Sequence, residues 1–345
     1  MLRPWGFAPR NAEPIEDAQL SEEYTQVQQP LYSTLADKTG MHLVPGCTNV
    51  RVSARSNQRV IMLNRGSSDK GFSVCMDCGA AIPGDEADNL KEIDRPYRAD
   101  FLHGRCRHAN VVNVNLGYDF ITDMLVLEIK LDDRRIDTGR KNNPWLSRAA
   151  QSMAEALRIV ASKELDIEFT ELVTGYRLRQ NEDGSFIDLY LYDSLSSGAG
   201  YAVSIESEIG SLLKKTSTYL ENCTCASACH NCLKHYRNQY VHGMLDRFAA
   251  LQLLRWGTDN TIAPPLPMKE QITLVAPLKG ILAESGCQVS LLSTGTTVKR
   301  GRTLKKLEVY PAMWTRPSGV ETIFVSDMLI KYAKPYAVAK IIESL

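Results

Sequence analysis

A chain of 345 residues with 44% apolar side chains has material for two or three domains and a sizeable core. Lys+Arg and Asp+Glu both number 40, which excludes a global field of either sign, so any nucleic-acid or membrane surface has to be a local patch. The opening MLRPWGFAPR lacks an apolar core segment and no run approaches the roughly 18 apolar residues of a membrane span, so no signal peptide, no membrane contact and a cytoplasmic location are expected.

Residues 1–70 are polar, punctuated by Pro and Gly, and lack a long helical period. From Gly71 the text GFSVCMDCGAAIPGDEADNL gives a short apolar run, a Cys-x-x-Cys pair and an acidic loop. VVNVNLGYDF and MLVLEIKL then alternate apolar with polar residues, the period of half-buried strands. Pro144, one or two residues ahead of the first turn, precedes a helix in which Leu146, Ala149, Met153, Ala156, Leu157, Val160 and Ala161 recur at helical spacing. FTELVTGYRL and FIDLYLYDSL flank NEDG, a hairpin signal.

VSIESEIGSLLKKTSTYL predicts a second helix with Ile205, Ile209, Leu212, Leu213 and Leu220 near one face. MLDRFAALQLLRWG predicts a third, closed by Gly257. TIAPPLP reads as a linker. Beyond it, strands are predicted around ITLV, QVSLL, KLEVY and TIFVS, then helical text broken at Pro335. The fold class is α+β, with mixed sheets and helices around one or two structural zinc sites. Three segments are expected: a β-rich region at 1–140, a helical four-cysteine domain at 141–263 and a small αβ segment at 268–345.

CTCASACHNC places Cys223, Cys225, Cys229 and Cys232 within ten positions of a chain that holds nine cysteines. In a reducing compartment such crowding favours a metal over disulfides. Four thiolates in one short loop can surround Zn2+ with little loop-closure entropy and leave no open coordination position, so the ion would hold structure and not activate water. It would tie the end of the second helix to the start of the third. An iron–sulfur cluster suits the same ligands and stays open as an alternative.

Cys75 and Cys78, with Gly79 turning the backbone toward the sulfurs, form half of a second zinc site. HGRCRH supplies the other half: Cys106 with His103, whose His-x-x-Cys spacing repeats the two-residue gap, or with His108. Cys47 and Cys287 read as small hydrophobes, and His230 and His235 as exposed flanks of the four-cysteine loop.

LYDSLSSGAGYA, a helix, and CTCASACHNCLKHYRNQYVHGMLDRFAALQLL together resemble the zinc-binding domain found at the C-termini of bacterial superfamily-2 helicases, of the MrfA type in DNA repair and DrmB-like in DISARM antiphage defence. GFSVCMDCG and LGYDFITDMLVLEI resemble the upstream half of that region, so the likeness covers about residues 70–257. It implies a zinc role for Cys223, Cys225, Cys229 and Cys232 and a superfamily-2 helicase as partner. Ser197 departs from the pattern, standing where a glycine is expected. The chain also has no G-x-x-x-x-G-K-[ST] to hold nucleotide phosphates, and without one the Asp85-Glu86-Ala87-Asp88 of its acidic loop is not read as a DEAD box, so it is expected not to be an enzyme on its own.

Gly198-Ala199-Gly200 is read as tight strand-to-helix packing in preference to a phosphate cradle. TTVKRGRTLKK gathers Lys299, Arg300, Arg302, Lys305 and Lys306 at a predicted hairpin tip, a candidate DNA contact. Asp119, Asp123, Glu128 and Asp193 lie in strand text, and their spacing matches no nuclease pattern; capping and turn roles are expected. The function expected is a non-catalytic zinc module of a DNA helicase complex. The alternatives are a metal-dependent nuclease, an iron–sulfur protein or a stand-alone nucleic-acid-binding protein.

Overall fold

The computed structural model describes residues 31–34, 40–64, 70–84, 87, 106–139 and 144–345. In chain order the first strands are β1 (Leu31–Thr34), β2 (His42–Leu43), β3 (Val50–Asn64), β4 (Phe72–Cys75), β5 (Ala81–Pro83), β6 (Val111–Val114) and β7 (Leu116–Leu131). Helix α1 (Pro144–Glu164) precedes the hairpin of β8 (Leu172–Asn181) and β9 (Gly184–Asp193). Helices α2 (Tyr201–Ser204), α3 (Ile209–Glu221) and α4 (Arg247–Asp259) follow, then α5 (Met268–Val275) and α6 (Leu278–Glu284). Strands β10 (Cys287–Leu292), β11 (Gly295–Arg300), β12 (Thr303–Tyr310) and β13 (Thr322–Ser326) lead to α7 (Asp327–Tyr332) and α8 (Lys334–Glu343). The class is α+β.

Two compact units divide the chain. They cut it differently from the three sequence segments: residues 1–140 are shared between both, and 268–345 stay with 144–194 and 200–263 in the second unit.

Within the first unit, β4 pairs antiparallel with β5 and β6. The β4–β5 turn carries Cys75-Met76-Asp77-Cys78; Gly79 turns at φ +77°, its N–H reaching Cys75 O at 2.8 Å, and Cys75 N bonds Ala80 O at 2.8 Å. Residues 195–199 belong to the same unit. There Ser197 adopts φ +82° and its N–H donates to Ile121 O at 2.7 Å. A Cβ on Gly198 would sit 2.3 Å from Asp123 Oδ2 and 2.9 Å from its backbone N. Close packing therefore accounts for Gly198, while Gly200 has open space around it and a left-handed φ of +83°.

In the second unit β7, β9 and β8 are consecutive and antiparallel, with Glu182-Asp183 at the hairpin turn between paired Asn181 and Gly184. Helix α1 packs on β8, β9, α3 and α4 and is buried nearly all round. Its apolar stripe is as predicted, but Arg148, Gln151, Ser152, Glu155, Arg158 and Ser162 are buried too. Buried polar atoms have to find partners. Arg148 Nη1 donates to Gly243 O at 2.6 Å, Ser152 Oγ accepts from Asp246 N at 2.8 Å, and Arg158 lies over the Phe169 ring at 4.4 Å.

The second helix is broken: α2, a 3-10 turn at Glu206–Glu208 and then α3. The third does not close at Gly257. It runs to Asp259 and ends on Asn260 in the left-handed region at φ +56°. Gly257 serves packing instead, since a Cβ there would lie 2.7 Å from Val50 Cγ2 and its carbonyl accepts from Thr48 N and Asn49 N.

Residues 268–345 have a core of their own, centred on Val275, Leu278, Val298, Val309, Val325 and Ile341. The sheet order is β10-β11-β12-β13, with β13 parallel to β12. ITLV, predicted as a strand, lies in α5. Gln271, Val275, Leu278 and Leu282 are all buried along a helical stripe, and Gln271 serves both backbones, donating to Leu266 O at 2.9 Å and accepting from Val309 N at 3.0 Å. The helical text at the C-terminus is α7 and α8, and Pro335 sits in the first turn of α8, where its missing N–H costs nothing.

The left-handed conformation costs a non-glycine residue about 1–2 kcal/mol, partly offset by the greater chain entropy of glycine. Ser197→Gly is therefore expected to raise stability by about 0.5–1 kcal/mol, and Gly198→Ala to lower the melting temperature by thermal denaturation, since Asp123 must be displaced.

Candidate metal centres

Helix α3 delivers the chain into the loop that carries Cys223, Cys225, Cys229 and Cys232, and all four sulfurs lie within 4.8 Å of one another. The separations are 3.4 Å for Cys223–Cys225, 3.5 Å for Cys223–Cys229, and 3.7 Å for both Cys225–Cys232 and Cys229–Cys232. A tetrahedron with Zn–S bonds of about 2.3 Å has edges of about 3.8 Å, so the donors stand almost where an ion would hold them. The set is four sulfurs with no carboxylate or water position, a closed structural site.

The loop is fastened from both helices. Tyr219 on α3 donates its hydroxyl to Cys232 O at 2.7 Å. Arg247, the first residue of α4, donates Nε to Cys225 O at 2.9 Å and Nη1 to Leu220 O at 3.1 Å, and its N–H bonds Ser227 O at 2.8 Å. Asp246 caps α4 through Phe248 N and Ala249 N and accepts the Tyr332 hydroxyl from α7 at 2.6 Å. Without metal, the Cys225 N–H lowers the Cys223 thiol to about 7, while burial pushes Cys232 up to about 12. Metal binding has to displace protons from such thiols, so acid opposes loading.

The second cluster comprises Cys75, Cys78, Cys106 and His108, with one donor atom from each inside 4.8 Å. Cys75 and Cys106 sulfurs are 3.8 Å apart, and Cys78 Sγ is 3.5 Å from His108 Nδ1. Three sulfurs and one imidazole form another closed zinc donor set. The knuckle at Gly79 fixes the first pair, and the His108 N–H points at Cys106 Sγ at 3.4 Å. Burial raises Cys78 to about 11 in the metal-free state. Among the described residues the imidazole is that of His108; His103 lies outside them.

The remaining sequence candidates separate. Cys287 is buried and Cys47 half-buried, as expected of small hydrophobes. His230 is exposed, but His235 is not: it packs edge-on to Phe169 with centroids 4.5 Å apart, and its Nε2 lies 3.0 Å from Glu155 Oε2. Asp193 is a cap, accepting from Tyr201 N at 3.1 Å and Ala202 N at 2.8 Å, which fills the amides behind Gly200. Asp119 pairs with Arg59. Glu128 and Asp188 share Arg179, at 2.6 and 3.3 Å. Among the described residues the two cysteine clusters are the only groups of donors near enough for one ion.

Lys299, Arg300, Lys305 and Lys306 flank the Gly301-Arg302 turn between β11 and β12. Strand alternation splits them: Lys299 and Lys306 share the outer face with exposed Leu304, while Arg300 and Lys305 follow the face of buried Val298 and Leu307.

Sequence reasoning missed Arg247 and Tyr219. One signal for Arg247 was available: a cation in the first turn of a helix opposes the helix dipole, so it must answer to something else.

Residues 147–233 match the family model of the MrfA Zn-binding domain, a span that contains all four cysteines of the first cluster. The chain carries an MrfA-type zinc-binding domain, and both clusters fit zinc. The Druantia protein DruE of Escherichia coli (strain UMEA 4076-1) is 32% identical over 307 residues, covering 85% of this chain, which spans 17% of DruE. A crystal structure of the DUF1998 helicase MrfA bound to DNA superposes with a TM-score of 0.38 at 13% identity, over 65% of this chain and 24% of that one. That likeness is too slight to carry an argument.

Elemental analysis is expected to find two zinc ions per chain. Cys229→Ser should lose one and lower the melting temperature, and His108→Ala should lose the other, an outcome to be compared with His103→Ala. Arg247→Met leaves the Cys225 and Leu220 carbonyls without their donor, so a loss of about 2–4 kcal/mol and faster zinc release to a chelator are expected.

Proposed function

Starting from the MrfA-type zinc-binding domain at 147–233, we propose that this chain is a non-catalytic, zinc-stabilised module of a DNA helicase complex, serving antiphage defence or DNA repair. The observation that carries the reading is the closed four-thiolate loop fastened to α3 by Tyr219 and to α4 by Arg247. Such a site stabilises a surface and offers nothing to a substrate. The sequence relation to DruE supports the same context.

The 345 residues contain no G-x-x-x-x-G-K-[ST]. ATP hydrolysis then belongs to a superfamily-2 motor carried by another polypeptide or by another part of a longer one. The module's contribution is to hold that motor and to meet DNA. The β11–β12 hairpin supplies the charge for the second task, with Lys299, Arg300, Arg302 and Lys306 exposed and Lys305 half-buried. Because the cations lie on both faces of the hairpin, the phosphate backbone has to pass across its tip.

Two measurements test the reading. Affinity purification of the tagged chain from its host is expected to bring down an ATPase with helicase motifs. Lys299→Ala/Arg300→Ala/Arg302→Ala should weaken duplex binding and reduce the slope of log K against log salt by up to about 2–3. Mg2+-dependent cleavage of DNA by the chain alone would refute the non-catalytic role.

A further inference from the structure

The chain leaving the four-thiolate loop presents side chains that neither the metal nor the core uses. Residues Tyr236–Met244 form 3-10 turns on either side of a kink at Asn238, and two of their rings are exposed: Tyr236 by 82% and Tyr240 by 51%. Arg237 and Gln239 are exposed between them, and Lys234 is half-buried just before. No carboxylate side chain occurs between Glu221 and Asp246. Among the described residues no ion pair engages Lys234 or Arg237.

The backbone beneath these rings is rigidly held. Asn238 is buried; its Oδ1 accepts from His235 N at 2.9 Å and lies 2.9 Å from His242 Nε2, and its Nδ2 donates to Leu233 O at 2.9 Å. Helix α1 fixes both ends, through Glu155 on His235 at 3.0 Å and Arg148 on Gly243 O at 2.6 Å. Rings displayed on a backbone already ordered lose little entropy when they bind.

We propose that this segment is a stacking platform for single-stranded nucleic acid, with bases on the Tyr236 and Tyr240 rings and phosphates on Lys234 and Arg237. Aromatic faces interleaved with cations suit a strand whose bases are unpaired, whereas a duplex keeps its base faces inside. A protein partner would want contiguous apolar area, and here polar Arg237 and Gln239 interrupt it. The proposal shares with the proposed function the premise of a nucleic-acid ligand and places the single strand on a different surface from the hairpin.

The test uses the zinc-loaded 345-residue chain and a fluorescent oligothymidylate of about 15 nucleotides, followed by anisotropy beside a duplex of equal length. The single strand is expected to bind more tightly than the duplex. Tyr236→Ala/Tyr240→Ala should weaken single-strand binding by roughly tenfold or more, while Tyr236→Phe/Tyr240→Phe retains it. Zinc content and melting temperature should match the parent. Ultraviolet crosslinking of a bromouridine-substituted strand to the unaltered chain should mark Tyr236 or Tyr240, a readout that needs no variant. Unchanged affinity in the alanine pair overturns the proposal, as does an unaltered chain that ignores the single strand. Loss of single-strand binding in the hairpin variant with the alanine pair unaffected would leave the proposed function standing and this platform refuted. A protein partner lost from the alanine pair while the oligonucleotide still binds would likewise overturn it.

Discussion

Four thiolates held on one ion within ten residues are the constraint that the second unit is arranged around. The loop they close is too short and too polar to hold its shape by burying apolar area. Ligation supplies that shape, and Tyr219 and Arg247 carry it into α3 and α4. Both helices lie on α1, and Cys232 and Leu233 are themselves buried in the same core, so the geometry of the sulfurs reaches the centre of the unit. Arg247 at the start of α4 sits where the helix dipole disfavours it. Its two carbonyl acceptors, at the end of α3 and in the metal loop, are the compensation.

Helix α1 shows what such an arrangement makes possible. A helix buried on all sides would ordinarily be apolar throughout, yet here Arg148, Ser152, Glu155 and Arg158 are inside. Each meets a specific group: a loop carbonyl, the amide that opens α4, an imidazole and an aromatic ring. Matched polar contacts of this kind contribute less to net stability than to choosing one packing over others. The same holds for Arg179, which joins Glu128 of β7 to Asp188 of β9 across the sheet. Carboxylates committed in this way are structural members.

Local patterns were legible in the sequence where a single short-range cause decided them. The Cys-x-Cys-x3-Cys-x-x-Cys loop, the hairpin at NEDG, the start of α1 at Pro144 and the packing role of Gly198 all belong to that class. Misreadings arose where a distant residue decided. ITLV has strand-like composition, but polar Gln271 completes a helical stripe because Val309 offers it an amide. His235 reads as a surface residue until Glu155, eighty positions earlier, arrives beside it. Gly257 resembles a helix stop, and only the approach of Val50 reveals another reason for it. At the second metal cluster, spacing left His103 and His108 both open; His108, at a left-handed φ of +48°, lies with the thiols, and His103 is outside the described residues.

The two metal loops differ in contour. One encloses its ion between positions 223 and 232, the other between 75 and 108. Closing the longer span costs about 1 kcal/mol more in chain entropy, and the histidine replaces one thiolate's charge with a neutral donor. By these two terms the four-thiolate loop of the second unit is the better-organised host for the ion, and the longer loop of the first unit depends more on the strands that flank it.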